Sequence, residues 1–208
     1  MQHAPMFDKV LLIDFKSDDR TLEIIERFAP PSWEVITSST GEIFDAVETD
    51  KQVMALEKLY PDDWIIALTT TEFLVKPHLR QNLRAFEAGR VNKKSPFISR
   101  IQVLAINGNN TLPLVYSNPL PQQRQLGNYP LAVISSRFLH YKTSTTHQYT
   151  PGRHRYQGPE VETANLDLFI MKFMFAPWPE VMERKMNVGK TIPQSDVRRR
   201  FGFQHMSR

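Results

Sequence analysis

Cysteine is absent from all 208 residues. That excludes a disulfide-stapled scaffold, thiolate metal sites and cysteine nucleophiles, and it suits a reducing compartment. Long hydrophobic runs are missing too. The longest apolar-rich stretch, "LDLFIMKFMF" (166–175), is too short to span a bilayer and carries Lys172. The opening residues, "MQHAPMFDKVLLID", lack the charged-then-apolar layout of a secretory signal. No internal repeat, low-complexity tract or linker interrupts the chain. These absences predict a cytoplasmic protein with no membrane span, and the length fits one domain, 1–208.

The charge is segregated. Residues 1–75 hold 15 acids and 6 Lys+Arg, a balance of −9, and residues 76–208 hold 7 acids and 20 Lys+Arg, a balance of +13, which together give +4. A basic half attracts anions: nucleic acid, anionic lipid or the phosphates of a small substrate. Solvated loops rich in lysine and arginine would give the same balance.

The first half alternates between two periods. "KVLLID" (9–14), "WEVITS" (33–38) and "WIIAL" (64–68) read as strands. Between them, residues 19–29 place Leu22, Ile24, Ile25 and Phe28 on one helical face behind Asp19 as cap, and residues 45–60 form a second amphipathic helix. Strand–helix–strand–helix–strand order predicts parallel strands with right-handed crossovers. After residue 76 the spacing predicts a helix over 77–89, strands in "ISRIQVLAI", "LPLVYS" and "LAVISSRFLHY", and a helical pair near 163–175 and 179–188. The class is therefore α/β: a mixed sheet flanked by helices, with a β-rich, irregular second half.

Two strand ends carry candidate chemistry. In "IDFKSDDRT" (13–21), Asp14 ends a strand and Ser17 and Asp19 shape the turn into a helix, where open α/β sheets bind ligands. The same residues could serve only as caps. In "TTTEF" (69–73), Glu72 ends the equivalent turn, so Asp14 and Glu72 are expected on one rim. "VGKT" (188–191) is no phosphate loop, because Arg184 stands where that motif needs glycine and a helix precedes it. His140, His147 and His154, seven apart, match no metal spacing. The tail "ERKMNVGKTIPQSDVRRRFGFQH" (183–205) interleaves cations with Phe201, Phe203 and His205, as a phosphate-contacting loop would, or as an ordinary solvated terminus would.

"LLIDFKSDDRTLEII" and "DDWIIALTTTEFL" resemble the nucleoside-binding and metal-loop segments of family 2-type glycosyltransferases with the GT-A fold. "RFLHYKTSTTHQYTPGRH" and the basic tail are similar to later segments of the same proteins. The resemblance implies a GT-A-like, Rossmann-like sheet, a nucleotide-binding half (1–75) and a basic acceptor-side half (76–208). It implies a nucleotide-sugar donor and a glycan acceptor as partners. Asp14 would contact the nucleoside, with Ser17 and Asp19 shaping its loop. Thr69 and Thr71 fall on the two aspartate positions of the metal motif, and Glu72 on the following glutamate. Arg153, His154, Arg184, Lys185 and His205 would face the diphosphate or acceptor.

Two departures modify that expectation. Threonine at both aspartate positions leaves a hard cation such as Mn²⁺ or Mg²⁺ short of carboxylates. The expectation is a transferase with reduced or metal-independent catalysis, in which fixed cations stabilise phosphate charge and Glu72 acts as general base or donor organiser. The resemblance also begins near His3, so the family's first strand and most of its first helix have no counterpart, and a partner chain is one source for that strand. The alternatives are an inactive GT-A-fold protein that binds carbohydrate or nucleotide and, on charge alone, a nucleic-acid-binding protein.

Overall fold

The structure, a computed structural model, describes residues 3, 5–43, 45–91, 97–106, 113–115, 117–124, 126–128, 136–141, 148–158, 162–163, 166–173 and 180–199. Strand β1 (Val10–Asp14), helix α1 (Thr21–Phe28), β2 (Trp33–Thr37), α2 (Ala46–Glu57) and β3 (Trp64–Ile66) follow the alternation read in the first half. Next come β4 (Glu72–Val75), α3 (Leu79–Gly89) and the long β5 (Phe97–Ile106). They are followed by α4 (Leu120–Gln123), β6 (Gly127–Asn128), β7 (Ser136–Tyr141), β8 (Gln148–Tyr149), β9 (Tyr156–Gln157), β10 (Glu162–Thr163) and β11 (Phe169–Lys172). Helices α5 (Glu180–Thr191) and α6 (Gln194–Arg198) close the described chain.

The main sheet runs β3–β7–β5–β11–β4, with β6 and β10 also pairing on β5. It is mixed: β11 lies parallel to β5 and antiparallel to β4, while β7 is antiparallel to β5 and β3. Strands β1 and β2 form a separate parallel pair, with Leu12 opposite Val35. The architecture is thus mixed α/β, with helices flanking the sheet. No helix among the described residues is long and apolar enough to cross a membrane.

Three expectations need correction. Strand β3 joins neither β1 nor β2 among the described pairings. It runs antiparallel to β7 because Trp64 and Ile66 pack onto the core of the main sheet, and Trp64 stacks on Tyr141 with ring centroids 4.9 Å apart. The segment expected as a helix over 163–175 contains β11, a central strand. A short apolar run buried on both faces has no period to distinguish strand from helix, and here the sheet claims it. In "LPLVYS", residues 113–115 are irregular, and in "LAVISSRFLHY" the described strand starts at Ser136, residues 131–135 lying outside the described set.

Alternation along the strands gives the sheet two apolar faces. Leu74, Ile101, Val103, Leu139 and Ile170 fill one face, closed by Leu79 and Leu83 of α3. Ile106, Met171 and Phe173 fill the other, with Leu120 of α4 packed against them. Each fully buried Leu or Ile contributes about 1.5–3 kcal/mol relative to exposure. The segment before β1 covers part of β4: His3 Nε2 accepts from the Leu74 N–H at 3.0 Å, and Arg80 of α3 pairs with Asp8 at 2.9 Å.

Helices α1 and α2 differ in how they start and pack. Asp45 caps α2 by accepting from the Glu48 N–H at 2.9 Å. Asp19 does not cap α1: Arg20 holds that position, and the Asp19 carboxylate accepts from the Thr21 N–H at 2.8 Å, within the turn. No residue of α1 is buried, and Leu22, Ile24 and Phe28 are 43%, 47% and 56% exposed.

Candidate functional site

The loop between β3 and β4 carries the three threonines. It is closed twice by one residue. The Glu72 N–H donates to the Thr69 carbonyl at 3.0 Å, and the Thr69 N–H donates to Glu72 Oε2 at 3.0 Å. The Thr69 and Thr71 hydroxyls lie 3.3 Å apart. Glu72 thus holds the turn with its backbone and its side chain together.

Its carboxylate points into the apolar face, and strand pairing explains what meets it there. The pair Leu74–Ile170 belongs to the core, and one alternation further along comes the pair Glu72–Lys172. Lys172 Nζ donates to Oε1 at 2.8 Å. Arg137 reaches the same carboxylate from β7 through Nη2 to Oε1 at 2.6 Å and Nε to Oε2 at 2.9 Å. Two strands separate β7 from β4 in the sheet order, so the curl of the sheet closes this contact. Burial alone would raise the Glu72 carboxyl, but the charges of Arg137 and Lys172 and their hydrogen bonds pull it down to about 2.

The turn between β8 and β9 closes the cluster from the other side. Arg137 Nη1 donates to the Gly152 carbonyl at 3.3 Å and lies 3.4 Å from His154 Nδ1. Gly152 is in the left-handed region at φ +79°, and a Cβ there would lie 2.9 Å from His154 Nε2. Arg153 is also left-handed, at φ +59°. What holds this strained turn is Asp50 of α2, which accepts from the Gly152 N–H at 2.7 Å and pairs with Arg153. Burial pushes the Asp50 carboxyl up, against the opposing charge of Arg153. Burial, then the charges of Arg137 and Lys172, lower the His154 imidazole to about 4, so it is neutral at pH 7.

No family model matches the chain, and no curated protein matches it as a relative.

The structure unites some expected site residues and separates others. Glu72, Thr69, Thr71, Arg153 and His154 share one cluster. Asp14 lies in the β1–β2 pair, where its carboxylate accepts from the Ser17 N–H at 3.1 Å and from the Ser17 hydroxyl. No contact among the described residues joins Asp14 to Glu72. Asp19 stays with α1, Arg184 and Lys185 lie in α5 with side chains outside the described set, and His205 lies outside the described residues. Arg137, Lys172 and Asp50 were missed by the sequence reading. Only Lys172 had a local signal, a single charge inside an apolar run.

The arrangement does not fit the divalent ion that the resemblance implies. Thr69 and Thr71 offer hydroxyls, and both oxygens of Glu72 are taken by cations that would repel a metal. Among the described residues no group of three or more His, Asp and Glu is placed to hold a metal ion. A second polar cluster lies nearby. The Tyr149 hydroxyl is 3.2 Å from both oxygens of Glu57, a buried acid seven positions after Asp50 on α2, and it also meets His140 Nε2. Burial and the Glu57 charge raise the Tyr149 phenol, so this cluster fastens the β8–β9 hairpin to α2 without ionising the tyrosine.

Proposed function

We propose that the chain is a glycosyltransferase-like protein that transfers a sugar from a nucleotide-sugar donor to a glycan or other acceptor without a metal ion. The observation that carries this reading is the convergence of Arg137 and Lys172 on Glu72 directly behind the Thr69–Thr71 loop. In such a transfer the bond between sugar and diphosphate breaks with its electrons moving to the diphosphate oxygen. Fixed cations facing that oxygen stabilise the charge with no reorganisation at the moment of reaction. The cluster holds three cations (Arg137, Arg153, Lys172) against two carboxylates (Glu72, Asp50), an excess of one positive charge. Glu72 serves here as the organiser of the loop and of both cations.

The test is hydrolysis and transfer with a panel of nucleoside-diphosphate sugars, in Mn²⁺ and in EDTA. Equal turnover in both is expected. A strict requirement for Mn²⁺ sinks the metal-free reading, and no turnover with any donor sinks transfer itself.

A second reading is a binding protein of the same fold without turnover. It is favoured by the sealed carboxylate, since Glu72 is 1% exposed and has both oxygens bonded, which leaves no free lone pair for a general base. It is distinguished by nucleotide-dependent thermal stabilisation with no product formed.

A further inference from the structure

We infer that the outer edge of β1 is a docking site for one extended strand of another polypeptide, apolar at its centre and basic at its ends. The edge belongs to the separate β1–β2 sheet, and its role does not depend on any transfer chemistry. Strand addition of this kind takes its affinity from main-chain hydrogen bonds. Here the donors and acceptors are the backbone groups of Leu11 and Ile13.

The pairing of β1 with β2 fixes which groups face outward. The Val10 N–H donates to the Ser32 carbonyl at 3.5 Å, and the Ser38 N–H donates to the Asp14 carbonyl at 2.7 Å, so Val10 and Asp14 turn their main chain toward β2. Backbone direction alternates along a strand, which places Leu12 with them and turns Leu11 and Ile13 the other way. Each of these two presents an N–H and a carbonyl at an edge that pairs with no strand among the described residues. Every residue of β1 is only half-buried, whereas strands of parallel sheets are ordinarily covered on both faces. Two strands alone are also fewer than an independently stable sheet needs.

Two other edges are blunted, and that of β1 is not. On β2 the outward groups are those of Trp33, Val35 and Thr37. The Trp33 N–H donates to the Pro30 carbonyl at 2.9 Å, and the Gln52 side chain donates to the Thr37 carbonyl at 3.0 Å. On β4 the Leu74 N–H is taken by His3. Natural edges use such plugs, or proline, charge and bulges, to refuse a further strand. The run Val10–Ile13 holds none of these. Its Val, Leu and Ile side chains select an apolar, β-branched segment. Residues 1–75 carry a balance of −9, which favours basic flanks on the partner. The same balance sets two such acidic halves against each other and disfavours a second copy of this chain at the edge.

Amide hydrogen exchange followed by NMR on the full chain tests the edge, with the synthetic peptide KTIVITK as probe. In the free protein Leu11 and Ile13 should exchange about ten-fold or more faster than Leu12, whose N–H bonds to β2. Excess peptide should slow both by a similar factor, while a counterpart N-methylated along its core has no effect. Ile13→Pro removes an outward donor that β2 does not use, so this variant should keep Leu12 protected and bind the peptide more weakly. The measurements on the unmodified protein stand whether or not that variant folds. Leu11 and Ile13 as protected as Leu12 in the dilute protein, no slowing by excess peptide, or equal slowing by the N-methylated counterpart overturns the inference. Undiminished binding by a folded Ile13→Pro protein overturns it as well. Protection that grows with protein concentration in the absence of peptide gives the edge to a second copy and likewise overturns it.

Discussion

Glu72 and Arg137, 65 residues apart, meet through two parallel hydrogen bonds with their side chains 0% and 4% exposed. The pair is the fixed point of the candidate site, because the threonine turn, Lys172 and the β8–β9 turn all bond to one or other of its members. Buried pairs of this kind cost desolvation to form and still more to break singly.

Glu72→Gln leaves the buried Arg137 and the half-buried Lys172 without their counter-charge. The expected loss is about 3–5 kcal/mol of stability. Urea unfolding followed by tryptophan fluorescence measures it, and the double variant Glu72→Gln, Arg137→Met should recover part of the loss. A single variant as stable as the parent contradicts the buried pair.

Gly152→Ala should destabilise the turn by about 1–2 kcal/mol, the cost of a left-handed residue with a Cβ, and the contact with His154 Nε2 adds to it. Thermal unfolding reads the effect. The same substitution should change the His154 ring signals in NMR, and unchanged signals would place the imidazole elsewhere.

The segment before β1 gives a third expectation. His3→Ala removes the acceptor for the buried Leu74 N–H. An unsatisfied buried donor costs about 1–3 kcal/mol. Hydrogen exchange should report faster exchange at Leu74, while amides of α2 keep their protection.

Acid should destabilise the protein in two stages. His3, lowered by burial, and His154, lowered to about 4, take up protons in the unfolded chain first. Their contribution is therefore full above the ordinary value of 6.5 and is lost as pH falls below it. Glu72, depressed from 4.5 to about 2, contributes fully above 4.5 and loses that contribution as pH falls toward 2. Asp50, raised by burial, has the opposite sign and offsets part of the acid loss. Midpoints of urea unfolding between pH 7.5 and 3 should show both stages, the first reduced in His154→Gln. A flat profile from pH 7 to 5 refutes the histidine assignment.

Local chemistry made part of this legible in the sequence. The helical stretch of α2 and the threonine turn ending in Glu72 are set by residues within a few positions of each other, although the residues that α2 buries are the acids Asp50 and Glu57 and not the apolar positions of its expected face. The partners of Glu72 are not local: Arg137 and Lys172 arrive from 65 and 100 residues away. Asp50 looked like an ordinary polar position on an amphipathic helix, and only the hairpin lying against it makes it buried. Strand β11 was misread for a related reason. Its residues are apolar on both sides because both faces of the sheet are covered, and that erases the period that identifies a strand.

The position of β11 also governs how the chain can be made. It is the last strand in sequence among the described residues, yet it sits between β5 and β4, bonded to both. During synthesis those two strands emerge first and wait with open edges until residues 169–172 leave the ribosome. Non-local pairing of this kind slows folding, and waiting edges are templates for aggregation. A chain released before Leu166 would keep every residue of α2, β4 and β7 and still lack the piece that joins the halves of the sheet. Its expected fate is capture by chaperones or aggregates rather than a smaller folded protein.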